Sequence, residues 1–268
     1  MVSSEFICYF NPYTMHIVKN IPTLKKPIKY PLDLTNVTAP KIPNFSAIDL
    51  MQLYRKVTNQ LEDQLDIKMV MYDFTLLELL LIDIVKTRNT SVDVLNINKK
   101  LFFNSNPSFN NDELKFKELI NNNNSLRYAL YLVKFGRIKT LIGFQVDSIN
   151  ETQKNKKTHL LGLTLMHKIN YITLIKKYLQ LKLMKINNLK YGIISDDNQI
   201  RLINSIKVNK IYHMLSLDKR NFYSIIKSIY KLCISDLNRN FVLQYNNKTL
   251  KKSKIFNNNH KNLKIYSS

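Results

Sequence analysis

Two carboxylates lie close together in a stretch that is otherwise apolar or uncharged. The segment TLIGFQVDSINETQ, residues 140–153, contains Asp147 and Glu151. Carboxylate oxygens are the ligands that hard cations such as Mg²⁺ prefer, so the pair could belong to a damaged catalytic motif. The alternative is that Asp147 and Ser148 only terminate a buried helix. The residues alone leave both interpretations open.

Other catalytic chemistry has little support in the sequence. The five histidines show no HExxH or other paired ligand spacing, and no Gly-rich phosphate loop or GxSxG motif is present. Cys8 and Cys233 form neither a disulfide framework nor a CxxC metal clip. Nucleotide hydrolysis by a P-loop and Ser-His catalysis are therefore not expected.

The balance of charge predicts a polyanionic partner. The 268 residues include 41 Lys and Arg against 19 Asp and Glu, a formal net charge of +22. Such a charge repels itself unless a polyanion neutralises it, and nucleic acid is the usual one. A membrane span is not expected, because the longest apolar candidate, FTLLELLLIDIV, is interrupted by Glu78 and Asp83.

The elements that must position these residues are predicted from periodicity and punctuation. In the first half, FSAIDLMQLYRKVTNQLEDQL predicts a helix with Ser46 as N-cap, DIKMVMYDF a strand, TLLELLLIDIVKT a buried helix and SVDVLNINKKLFF a hairpin. In the second half, KTHLLGLTLMH predicts a strand and KINYITLIKKYLQL a helix, followed by two short strands around Asn187 and Asn188. DDNQIRLINSIK and LDKRNFYSIIKSIYKL predict two further helices.

Several of these stretches together resemble the LAGLIDADG family of homing endonucleases and intron maturases. The segment LIGFQVDSI resembles the motif helix, and the elements that follow it to Lys231 resemble the rest of one αββαββα repeat. The resemblance implies an α+β fold with a mixed, saddle-shaped sheet and helices on one side. Gly143 would then let two motif helices approach closely.

The resemblance also implies an organisation along the chain. Residues 1–45 are expected to form an extended basic arm rich in Pro and Lys, and residues 236–268 a basic, partly disordered tail. Residues 46–135 would be a divergent first repeat and residues 136–235 a second repeat. With two repeats in one chain, a monomer is expected rather than a homodimer.

The site residues implied by the resemblance depart from the family pattern. Ser148 stands where the family has its metal-binding acid, so Asp147 is the candidate metal ligand only if the helix end is irregular. Asp147, Glu151 and Lys219 are the candidate catalytic residues. Mg²⁺ is the expected cofactor if cleavage is retained, and otherwise none is expected. The substitution predicts weak or lost cleavage.

Basic residues of the same region are the candidate contacts to nucleic acid. The resemblance places them on sheet strands, on connecting loops or at the start of the closing helix. They are Lys154, Lys156, Lys157, Lys182, Lys185, Lys190, Lys219 and Arg220.

Two functions follow from these expectations. The first is an organelle-encoded protein of LAGLIDADG type that binds DNA or structured RNA, acting as an intron maturase in RNA splicing or as a weakened homing endonuclease. The alternative is a mitochondrially encoded ribosomal protein that binds rRNA through its basic arm and tail. The excess of Asn, Lys and Ile is typical of a very A/T-rich genome, which favours a mitochondrial, organelle-encoded origin.

Overall fold

The structure is a computed structural model that describes most of the chain. The described residues are 2–19, 23, 28, 30–43, 45–60, 66–81, 90–107, 109–122, 126–151, 158–166, 171–215, 222–234, 240–246 and 249–254.

The described residues form six helices and fourteen strands. The helices are α1 (Ala47–Gln60), α2 (Asp73–Leu81), α3 (Asn111–Ile120), α4 (Tyr171–Leu183), α5 (Val208–Met214) and α6 (Phe222–Ile234). The strands are β1 (Val2–Asn11), β2 (His16–Val18), β3 (Leu32–Asp33), β4 (Ile67–Tyr72), β5 (Thr90–Ile97), β6 (Lys100–Asn104), β7 (Arg127–Phe135), β8 (Ile138–Val146), β9 (Ser148–Glu151), β10 (Thr158–Met166), β11 (Asn188–Ile194), β12 (Gln199–Lys207), β13 (Phe241–Asn246) and β14 (Thr249–Lys254). No helix in these ranges is long and apolar enough to cross a bilayer.

The strands form two sheets. The larger has nine strands in the order β14-β13-β5-β6-β4-β8-β7-β1-β2, and the smaller has five in the order β3-β12-β11-β10-β9. Strand β4 runs parallel to both neighbours, β6 and β8, at the middle of the large sheet. In the small sheet β10 and β11 are parallel, and the remaining pairs are antiparallel.

The middle of the large sheet is buried on both faces. Alternate residues of β4 belong to different cores: Met69 and Met71 pack with side chains of α2, α4 and α6, whereas Val70 and Tyr72 pack with side chains of α1. A strand covered on both faces has apolar residues at every position instead of alternate ones. Sequence periodicity therefore predicts such a strand poorly.

Several local predictions are confirmed. The structure has the predicted helices α1, α2, α4 and α6, the predicted strands β4 and β10, and the β5–β6 hairpin. Helix α1 begins with the predicted cap, because the Ser46 Oγ accepts a hydrogen bond from the Asp49 N–H at 3.2 Å and Asp49 Oδ2 accepts one from the Ser46 N–H at 3.0 Å. This reciprocal pair satisfies two N–H groups at the helix start.

The prediction of an αββαββα repeat is wrong. The segment LIGFQVDSI lies in β8 and β9 and is not a helix. A short, continuous apolar run fits a central strand as well as a buried helix, and here the pairing of β8 with β4 and β7 decides for the strand. Gly143 accordingly lies in a sheet, where an added Cβ would meet Phe10 Cζ and Tyr72 Cδ1 at 3.2 Å.

The predicted helix in DDNQIRLINSIK is also wrong, because Gln199–Lys207 is strand β12. The acids before it belong to a turn that joins β11 to β12, in which the Ser195 N–H donates to the Gln199 carbonyl and Asn198 has a φ of 58°. Asp and Asn favour such turns as well as helix starts. Acidic residues before an apolar run therefore do not distinguish the start of a helix from a turn.

Strand pairing joins all four segments that the sequence divided at residues 45, 135 and 235. The large sheet takes β1 from the first, β4 to β7 from the second, β8 from the third, and β13 and β14 from the last.

Candidate functional site

Asp147 lies at the junction of the two sheets. It is the residue between β8, in the large sheet, and β9, in the small sheet. Its side chain is buried, and Oδ2 accepts a hydrogen bond from the Leu163 N–H at 2.9 Å. The same carboxylate pairs with two ammonium groups, Lys117 Nζ at 2.6 Å from Oδ1 and Lys177 Nζ at 3.4 Å from Oδ2.

Glu113 completes this cluster from the first turn of α3. The helix is capped by Asn110, whose Oδ1 accepts from the N–H groups of residues 112 and 113. Glu113 Oε1 lies 2.7 Å from Lys117 Nζ and 3.0 Å from Lys177 Nζ, and its Oε2 accepts from the Thr164 hydroxyl at 3.1 Å. Two carboxylates and two ammonium groups thus form one connected ion-pair network.

The ion-pair network keeps Glu113 and Lys117 ionised. Burial would raise the pKa of the Glu113 carboxyl group, but the positive charges of Lys117 and Lys177 outweigh burial and lower it to about 2. Burial would likewise lower the pKa of Lys117, but Asp147 and Glu113 outweigh it and hold that pKa above its usual value. Both groups are therefore ionised at neutral pH, and their charges cancel locally.

A second buried carboxylate lies beside the network. Asp73, the first residue of α2, accepts hydrogen bonds from the Phe74 N–H at 2.8 Å, the Gln145 N–H at 3.1 Å and the Gln180 side-chain amide at 3.0 Å. Burial raises the pKa of Asp73 to about 6, although the two backbone N–H groups and the charge of Lys177 act against the rise. Gln180 also donates to the Gln145 carbonyl at 3.2 Å, so α4 is joined to β8.

These groups lie along a cleft of about 310 Å³ between α2, α3 and α4. Its lining includes Asp73, Glu113 and Lys117 of the buried clusters, together with the more exposed Lys176 and the ring of Phe109. Three lysines and three carboxylates line it in all, so its formal charge is balanced.

The structure brings only Asp147, of the residues predicted from sequence, into this cluster. Ser148 follows it with a fully buried Oγ that has no hydrogen-bond partner among the described residues. Glu151 lies in β9, where it pairs with Thr158 of β10.

The predicted basic contacts lie elsewhere. Lys182 and Lys185 are exposed at the end of α4 and line a different cavity of about 510 Å³, and Lys190 lies in β11. The other predicted contacts, Lys154, Lys156, Lys157, Lys219 and Arg220, lie outside the described residues.

Sequence reasoning missed five members of the site: Asp73, Glu113, Lys117, Lys177 and Gln180. Two weak signals were present. Glu113 and Lys117 are four residues apart and Lys177 and Gln180 three apart, so each pair shares one helix face. Such pairs are common on exposed helix surfaces, and nothing local indicates that these two are buried.

The described residues do not fit a divalent metal ion. In the part of the chain that the structure describes, no three His, Cys, Asp or Glu side chains are placed to hold one. Glu113 and Asp147 do come together, but each already lies 2.6 to 3.4 Å from two ammonium groups. A cation placed between these carboxylates would be repelled by both lysines.

Comparison with known proteins shows a likeness of fold without a likeness of sequence. No protein-family model and no curated protein matches the sequence. Among solved structures, S. pombe Rai1 is similar with a TM-score of 0.74 and 12% identity, over 94% of this chain and 95% of that one. Candida albicans Rai1 in complex with pU5-Mn²⁺ has a TM-score of 0.71 and 12% identity, over 95% and 90%. K. lactis Dxo1 in complex with manganese has a TM-score of 0.69 and 14% identity, over 94% and 90%.

These neighbours overturn the LAGLIDADG interpretation. The fold resembles that of Rai1 and Dxo1 over nearly the whole chain, and the resemblance to homing endonucleases rested on a helix that is in fact β8. The intron maturase and the weakened homing endonuclease are therefore wrong. The ribosomal-protein alternative is wrong too, since its basic arm and tail contribute β1, β13 and β14 to the large sheet of this same fold.

Proposed function

We propose that this protein binds RNA, through its 5′ end, in the cleft between α2, α3 and α4. The observation that carries the proposal is the similarity of fold, over 95% of the chain, to Candida albicans Rai1, whose structure contains pU5. The cleft is the place where the two sheets meet and where the buried charged network reaches solvent. An RNA end is a ligand of suitable size and chemistry for it.

The cleft wall offers the groups that single-stranded RNA requires. Phe74 and Phe109 are half-buried and lie edge to face, with ring centroids 6.2 Å apart. Aromatic rings stack on unpaired bases, each at roughly 1 to 3 kcal/mol. The side chain of Asn106 adds hydrogen-bonding groups to the same wall.

The charge of the cleft also favours a phosphate ligand. Its carboxylates are matched by lysines, so a phosphate group entering the cleft meets no excess negative charge. The net charge of +22 on the whole chain attracts nucleic acid from a distance. Attraction over long range and neutrality at the site together support binding.

Lys176 provides the test. Its side chain lines the cleft, is 30% exposed, and lies 3.9 Å from Glu78. For Lys176→Ala we expect the affinity for a 5′-phosphorylated pentauridylate to fall several-fold, and the slope of log affinity against log salt concentration to decrease in magnitude by about 0.7. Fluorescence anisotropy measures both.

The matched control is Lys251→Ala, which removes an exposed lysine from the edge strand β14, away from the cleft lining. Its affinity should equal that of the unmodified protein. The proposal is wrong if the unmodified protein does not bind the oligonucleotide, or if the two substitutions weaken binding equally.

A second candidate is hydrolysis at an RNA 5′ end, which would remove nucleotides or a cap. It is favoured by the manganese in two structures of similar fold and by the neighbouring carboxylates of Glu113, which lines the cleft, and Asp147, which is buried beside it. The magnesium predicted from sequence belongs to this candidate. Binding comes first because both carboxylates are paired with lysines.

Incubating 5′-triphosphorylated and capped RNA with the protein and Mn²⁺ or Mg²⁺ decides between the two. Products that disappear with Asp147→Asn would favour hydrolysis. Intact RNA alongside measurable affinity would favour binding alone.

A further inference from the structure

In the buried network, two ammonium groups lie between two carboxylates, where a metal site would have a divalent cation. Lys117 Nζ lies between Glu113 Oε1 at 2.7 Å and Asp147 Oδ1 at 2.6 Å. Lys177 Nζ lies between Glu113 Oε1 at 3.0 Å and Asp147 Oδ2 at 3.4 Å. Two ammonium groups carry the charge of one divalent cation and bridge the same two carboxylates.

The two lysines are fixed parts of the protein. Lys117 and Lys177 are each only 7% exposed, although they come from two different helices, α3 and α4. Their aliphatic stems are packed, and each ammonium group is held by two carboxylates, so neither leaves the site as a bound ion would. Removing either would leave buried negative charge without compensation.

Both lysines also line the cleft. Each Nζ lies within 3.4 Å of two carboxylates, and an ammonium group can donate up to three hydrogen bonds. We expect each ammonium group to donate to an anion in the cleft as well.

We propose that Lys117 and Lys177 replace a divalent metal ion in this cleft, so that a phosphate group is bound by ammonium groups without any divalent cation. The exclusion of the metal ion by the two lysines does not depend on the proposed function. The binding of phosphate by their ammonium groups rests on the proposed RNA binding. The site would thus keep the fold of a metal-containing protein while excluding the metal by its own charges.

A titration with Mn²⁺ tests the first part of the proposal, which is that the two lysines exclude a divalent cation. Electron paramagnetic resonance measures the concentration of free Mn²⁺ during the titration. We expect the unmodified protein to show no Mn²⁺ binding that is sensitive to Asp147→Asn. Lys177→Gln removes one ammonium group and retains hydrogen-bonding capacity, and it should raise the affinity for Mn²⁺ on the order of tenfold or more, because a positive charge that repels the cation is removed. Mn²⁺ should raise the melting temperature of this variant only.

The matched control is Lys176→Gln, the neighbouring residue on α4, whose Nζ lies 3.9 Å from Glu78. It should gain no affinity for Mn²⁺. The proposal is overturned if the unmodified protein binds Mn²⁺ and loses it with Asp147→Asn, or if Lys177→Gln folds, as judged by circular dichroism, and gains no affinity. If Lys177→Gln does not fold, the titration of the unmodified protein decides by itself.

Binding of 5′-phosphorylated pentauridylate in EDTA and in Mn²⁺ tests the second part. Equal affinities are expected, and an affinity that requires Mn²⁺ would overturn it. If the oligonucleotide does not bind under either condition, the proposed function fails, while the result of the Mn²⁺ titration is unaffected.

Discussion

At the scale of residues, the cleft contains two kinds of buried carboxylate. Glu113 is held ionised by lysines, whereas Asp73 is held by hydrogen bonds and its pKa is raised to about 6 by burial. The difference follows from their neighbours: an ammonium group within 3 Å stabilises the charged form far more than N–H groups do. Each carboxylate therefore contributes to stability in its own range of pH.

For Asp73 the sign follows from linkage. Its folded pKa of about 6 exceeds the ordinary 3.8, so between these values the folded protein binds more protons than the unfolded chain, and this contribution to stability falls as pH rises. Asp73→Asn should remove that fall, which is on the order of 2 to 3 kcal/mol between pH 4 and pH 6. Urea unfolding at a series of pH values measures it. An unchanged slope in the variant would contradict the assignment.

For Glu113 the sign is opposite. Its folded pKa of about 2 lies below the ordinary 4.5, so its contribution is complete above pH 4.5 and is lost as pH falls toward 2. The two carboxylates thus act in different windows and can be separated in one pH series.

A buried ion pair and an exposed one contribute differently to the free energy of unfolding. Lys117→Met leaves Asp147 buried with one ammonium partner fewer and should lower the free energy of unfolding by about 3 to 5 kcal/mol. Lys68→Met breaks a pair of the same 2.6 Å length, with Asp66, on the surface, and should cost less than about 1 kcal/mol. Urea midpoints of the two variants provide the comparison, and similar losses would show that burial of the network matters little.

At the scale of elements, β8 links the core to the site. It pairs in parallel with β4 and antiparallel with β7, and it ends at Val146, immediately before Asp147. Its Gln145 makes hydrogen bonds to Asp73 through its N–H and to Gln180 through its carbonyl. The packing of β8 therefore helps to set the positions of Asp147, which follows it, and of Asp73, which it contacts.

A substitution at Gly143 tests the packing of β8. An added Cβ would lie 3.2 Å from the rings of Phe10 and Tyr72, both fully buried and held by other aromatic rings. Gly143→Ala should destabilise the protein by about 1 to 3 kcal/mol, as overpacking of a core does. Thermal unfolding measures the loss. An equal or higher melting temperature would show that the rings yield easily.

At the scale of the whole molecule, the excess of positive charge governs association. With a net charge of +22, binding of a nucleic acid should release counterions from each neutralised phosphate. The monomeric state and the mitochondrial origin stay predictions at this scale, to be measured by light scattering and by cell fractionation.

The salt dependence of binding follows from that charge. The logarithm of the affinity for pentauridylate should fall linearly with the logarithm of salt concentration, with a slope of about −0.7 for each phosphate neutralised. For two neutralised phosphates, a roughly fivefold rise in salt concentration amounts to about a tenfold loss. Anisotropy titrations in a KCl series measure the slope, and a slope near zero would exclude phosphate contacts as the basis of binding.

The sequence by itself determined the local elements and the charge. Helices α1, α2, α4 and α6 and the β5–β6 hairpin followed from periodicity, and strand β4 followed from a short apolar run, since each of these signals lies within one stretch of chain. The excess of lysine likewise predicted a polyanionic partner. Asp147 was a candidate from sequence because a carboxylate beside an apolar run is conspicuous.

Only the tertiary structure decided what surrounds Asp147. Glu113 lies 34 positions before it and Lys177 30 positions after it, and no local pattern predicts that they meet. The identity of β8 as a strand was decided in the same way, by pairing with β4, which is distant in sequence. Burial, hydrogen bonding and ion pairing act between residues that are far apart along the chain, whereas periodicity reports only on neighbours.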